Sequence, residues 1–65
     1  MQKSNLKYAD RVVVTEGFYE GLVGIVEEEY EEKHLFYPSS YYYLVDFLDC
    51  TITLPESSLK LVERN

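Results

Sequence analysis

The three glycines of this 65-residue chain fall in one short stretch, Gly17, Gly21 and Gly24, between Val12-Val13-Val14 and Ile25-Val26. Glycine at that density marks backbone that takes a positive φ or passes close to another segment. Between the glycines stand Phe18, Tyr19 and Leu22, which are large and apolar, so the stretch reads as a structured loop rather than a linker. The β-branched runs on either side suit pleated strands better than helix. A tight, glycine-dependent β-hairpin is therefore the first constraint on the fold.

The remaining elements follow from periodicity. Residues 1–9 are polar and unpatterned and read as a tail ahead of a domain over residues 10–63. Strands are predicted over 11–15 and 24–30, with a helical alternative over 28–35, where Glu29 and Lys33 are an i,i+4 pair and Pro38 would end the helix. Residues 36–40 form a loop around Pro38-Ser39-Ser40. Over 41–48, Tyr41, Tyr43, Val45 and Phe47 share one face and Tyr42, Leu44, Asp46 and Leu48 the other; the face without Asp46 should look inward. Asp49-Cys50 is a two-residue connection to a strand over 51–54 with Ile52 and Leu54 inward. Pro55 then opens a single 3₁₀ turn, and a last strand follows over 60–63. The expected fold is all-β: a small, partly open five-stranded barrel with one 3₁₀ turn before the last strand.

Composition sets the limits on this domain. Hydrophobic residues are 46% of the chain, enough to bury a core, but the length allows only one domain, of marginal stability. One cysteine, Cys50, excludes an internal disulfide and suits a reducing compartment. The first residues lack the apolar core of a signal peptide, and no run approaches the ~18 apolar residues of a membrane span, so a cytoplasmic location is expected. A net charge of −6 opposes association with nucleic acid or anionic lipid, where affinity comes from neutralising phosphates.

The pattern Val12-x-Val14, Gly17, Gly21, Gly24, Val26 resembles the KOW motif of large-subunit ribosomal proteins and NusG-type transcription factors. The downstream order of strand, tight turn, strand, Leu-Pro-Glu-Ser turn and final strand is similar to an SH3-like barrel. The resemblance implies an SH3-like, KOW-type fold over most of residues 8–63. In the KOW domains that bind RNA, positions among the glycines are commonly basic; here they are Phe18, Tyr19, Glu20, Leu22 and Ile25. The hairpin geometry is thus expected without the phosphate-binding side chains, and fold alone does not assign function.

Three groups of residues are candidates for a binding role. Phe18, Tyr19 and Leu22 form an apolar loop patch or cap the open end of the barrel, with Tyr19 expected to be the exposed ring. Glu27, Glu28, Glu29, Glu31 and Glu32 form an acidic edge. Alternation would send Glu27 and Glu29 to one face and Glu28 to the other, which is poor geometry for a metal ion and good geometry for a solvated edge that resists aggregation or imitates nucleic-acid phosphates. Tyr37, Tyr41 and Tyr42 could line a groove for a proline-rich peptide or a cation. His34 and Cys50 lack the spacing of a zinc site and any orienting acid for catalysis, so no enzyme, metal or cofactor is expected. The expected function is a non-enzymatic adaptor or inhibitor, of the kind a phage or mobile element encodes. It would bind a basic protein surface through Phe18, Tyr19, Glu20, the acidic edge and Tyr37. The alternatives are a KOW-type nucleic-acid module inside a larger complex and an oligomerising structural subunit.

Overall fold

The computed structural model describes residues 6–32 and 40–65. Five strands follow in order: β1 (Arg11–Val14), β2 (Val23–Glu32), β3 (Ser40–Asp46), β4 (Thr51–Pro55), a 3₁₀ turn (Glu56–Ser58), and β5 (Leu59–Glu63). They form one antiparallel sheet in the order β4-β3-β2-β1-β5. The all-β expectation, the five strands and the 3₁₀ turn before the last of them agree with the sequence reading. Residues 28–32 continue β2, which removes the helical alternative over that part; residues 33–35 of that alternative and residues 36–39 of the predicted loop lie outside the described residues.

The sheet is open, not a closed barrel: β4 and β5 are its two edges and do not pair with each other. It cannot be flat, however. Four inter-strand spacings would separate the edges by about 19 Å, yet only the 3₁₀ turn joins them, and its rise is about 2 Å per residue. The strands must curl to bring the end of β4 to the start of β5. Register shifts in β2 at Glu27 and in β5 opposite Arg11 and Val12 mark bulges, which add local bend and twist.

The concave face holds the core: Leu6, Val12, Val14, Val26, Tyr43, Val45 and Phe47 are buried, and Tyr19, Tyr41, Ile52, Leu54, Leu59 and Leu61 pack against them. The alternation read over 41–48 is thereby realised, with Tyr43, Val45 and Phe47 inward. The two-residue turn is displaced by one position. Phe47 N–H donates to the Cys50 carbonyl at 2.7 Å, so Leu48 and Asp49 are the turn residues, and Leu48 is wholly exposed. Closing the turn there keeps Val45 opposite Ile52 and Tyr43 opposite Leu54, so each inward pair meets across the ladder.

Leu6, assigned by the sequence reading to the polar tail, is a core residue at 5% exposure. Behind it residues 7–10 make a turn whose Ala9 N–H donates to the Val26 carbonyl at 2.7 Å. Asp10 locks this turn. Its carboxylate, 1% exposed, accepts from the Lys7 N–H at 2.9 Å and the Asn65 N–H at 3.1 Å, and Arg64 approaches at 3.5 Å. The bond from Asn65, with help from Lys7 and Arg64, outweighs burial and holds the Asp10 pKa below its ordinary value.

Candidate functional site

The glycine loop joins β1 to β2. Val14 N–H donates to the Leu22 carbonyl at 2.9 Å and Gly21 N–H to the Val14 carbonyl at 2.8 Å, closing its neck. Gly17 and Gly21 have φ of +90° and +94°, where a Cβ is strained. Gly24 serves differently: a Cβ there would stand 2.6 Å from Val45 Cγ1 and 2.8 Å from Phe47 Cδ1, so its absence lets β2 lie against the core end of β3. On the loop, Phe18 is 93% exposed, and its ring meets Tyr19 edge to face at 5.0 Å. Tyr19 packs against the core, so Phe18 and not Tyr19 is the exposed ring. Adjacent aromatics cannot both face inward from such a turn, and the sequence does not say which one does. Glu20 is exposed beside them.

The acidic edge is the far half of β2, paired with β3 in a projecting hairpin. Val26 lies opposite Val45 and Glu28 opposite Leu44, so Glu27 is the extra residue of a bulge. The expected alternation of the glutamates is overturned by this insertion: Glu27 joins Glu28 on the convex face. There Glu27 stands beside Asp46, to which its protonated carboxyl can donate a hydrogen bond. That bond, then burial, then the charges of Asp46 and Glu28 push the Glu27 pKa above its ordinary value.

Past the bulge, Glu28, Tyr30 and Glu32 share the convex face, and the Tyr30 hydroxyl donates to the Glu28 carboxylate. That bond, with burial and the Glu28 charge behind it, raises the Tyr30 pKa. Glu29 and Glu31 turn to the other face, toward Tyr41 and Glu56. Tyr41 is raised chiefly by burial and then by the charges of Glu31 and Glu29. Tyr43, buried beside it, donates its hydroxyl to Glu56 at 3.0 Å.

Tyr41 and Tyr42 therefore point to opposite faces and do not share a groove. Tyr42 lies directly opposite Tyr30, on the convex face. Tyr30, Tyr42, Thr53, Glu31 and Glu32 line a shallow groove of ≈ 410 Å³ beside the β4 edge. Tyr37 lies outside the described residues. The pairing of Tyr30 with Tyr42 was missed by sequence reasoning, because it depends on a register that the bulge resets.

The loop and the acidic edge also do not form one surface. Leu22 and Glu32 bracket β2, about 30 Å apart along the strand. Charge is segregated as well. Among the described residues the cations are Lys7, Arg11, Lys60 and Arg64, all in the N-terminal turn, on β1 or β5, or just past β5; the charged groups of β2 and β3 are all carboxylates, and β4 has none. Compared with protein-family models, with curated proteins and with solved structures, the chain matches none.

Proposed function

We propose that this chain is a cytoplasmic, non-enzymatic binding module with an SH3-like, KOW-type fold, and that it acts as an adaptor or inhibitor by engaging a basic surface of another protein. The observation that carries the reading is the charge segregation: Glu27, Glu28, Glu29, Glu31 and Glu32 occupy a projecting hairpin, while the described cations sit on the opposite side of the sheet. A protruding patch whose described charges are all of one sign steers a partner of opposite sign and sets association rate more than final affinity. The KOW-type part of the proposal is supported by the two positive-φ glycines, the close approach at Gly24, and the curl that the 3₁₀ turn imposes. Phe18 is a second contact at the other end of β2, for a partner large enough to reach it.

The test compares the native chain with a Glu28→Gln, Glu31→Gln, Glu32→Gln variant in capturing proteins from the host, over a salt series. The proposal expects a basic protein that the native chain retains at low salt, and a variant that binds it more slowly with a flatter salt dependence. Equal retention by the two chains at every salt concentration would sink it.

A further inference from the structure

We infer that the groove between Tyr30 and Tyr42 seats an arginine side chain from an extended segment of the partner protein. This rests on the basic-partner reading above and names the contact that would read it. Tyr30 and Tyr42 stand directly opposite each other on β2 and β3, and Thr53 borders the same groove from the edge strand β4. Along the convex face of β2 the order is carboxylate, tyrosine, carboxylate: Glu28, Tyr30, Glu32. The hydrogen bond from Tyr30 to Glu28 fixes the ring beside the charge.

Two aromatic side chains with Glu32 in the groove lining and Glu28 held beside Tyr30 suit a cation, and a planar guanidinium gains more than an ammonium, because it stacks on a ring while its N–H fork reaches a carboxylate. At ≈ 410 Å³ the groove has the size of a modest ligand site, but it is shallow and open, whereas small-molecule sites bury most of their ligand. Its occupant is therefore a side chain held by a larger molecule. Because Thr53 carries the groove to the edge strand β4, an extended segment can run along that edge and project one side chain inward.

The experiment titrates the intact protein with a blocked glycine–arginine repeat peptide and with lysine and citrulline peptides of the same length, at low salt, following the ring signals of Tyr30 and Tyr42 and the methyl of Thr53 by NMR. The arginine peptide should move these signals, the lysine peptide should bind several-fold more weakly, and the citrulline peptide should leave them unmoved. Tyr42→Ala should weaken arginine binding about three- to tenfold. Thr53→Lys, at an exposed edge position that leaves the core intact, should weaken it at least as much by filling the groove with a cation. Arginine and lysine peptides that bind alike and ignore Thr53→Lys would overturn the groove and leave the basic-partner reading standing. Absence of binding by either cationic peptide would overturn both.

Discussion

The two halves of β2 are built to different specifications. From Val23 to Val26 the strand lies between β1 and β3, with Gly24 and Val26 buried and Ala9 and Asp10 bonded to Val26. From Glu27 to Glu32 it projects with β3 and carries its carboxylates on both faces. One bulged residue separates them. The first half shows how a strand is fixed by packing, and the second how a strand supported by cross-strand tyrosines can hold charge that a core would reject. Register before Glu27 serves the core; register after it decides which glutamates accompany Tyr30 and Tyr42.

The largest expected break is Gly24→Val. Its side chain would collide with Val45, Phe47 and the Asp46 carbonyl, and urea unfolding should show a loss of about 1–3 kcal/mol. Asp10→Asn should follow, costing about 2 kcal/mol, because a buried carboxylate accepting two backbone bonds becomes an amide. Its pH dependence carries a sign. With a folded pKa below 3.8, the Asp10 contribution is complete above that unfolded value and disappears as pH falls through the folded one. The variant should lack that acid limb of the stability curve.

Glu27 behaves in the opposite sense, which sharpens the contrast. Its raised folded pKa makes the protonated form the favoured one, so its contribution is present below the ordinary value of 4.5 and is lost as pH rises through the folded value. Glu27→Gln should therefore be more stable than the native chain near neutral pH, with the difference closing in acid; parallel urea midpoints across that range would check it. The smallest effect belongs to Phe18→Ser, within about 0.5 kcal/mol by thermal unfolding, since that ring is almost entirely in solvent.

Most of the fold was legible where pattern and chemistry agree. Tyr43, Val45 and Phe47 announced an inward face by period, and the glycines announced a strained loop and a close approach. What stayed hidden depends on contacts distant in sequence. Leu6 looks like a tail residue until Ala9 and Val26 meet; Asp10 looks like a surface acid until Asn65 reaches it. An apolar residue four positions before an aspartate at the head of a strand was the available signal. The Tyr30 and Tyr42 groove was illegible for another reason: one inserted residue at Glu27 exchanges the faces of everything after it, and nothing in Val-Glu-Glu-Glu-Tyr marks where the insertion falls.

The Asp10 lock also determines how the molecule would bear load. β1 and β5 are antiparallel neighbours, and Arg11 lies opposite Glu63, so the chain enters and leaves the sheet side by side. A force pulling these two ends apart acts across the ladder and opens its rungs one after another, instead of shearing them together. From the C-terminal end the first bonds to take the strain are those from Asn65 and Arg64 to Asp10; from the N-terminal end the packing of Leu6 and the bond from Ala9 to the Val26 carbonyl are loaded with them. Held by its ends, the domain should open like a zipper from the Asp10 side, while the hairpin bearing Tyr30 and Tyr42 remains outside the line of tension.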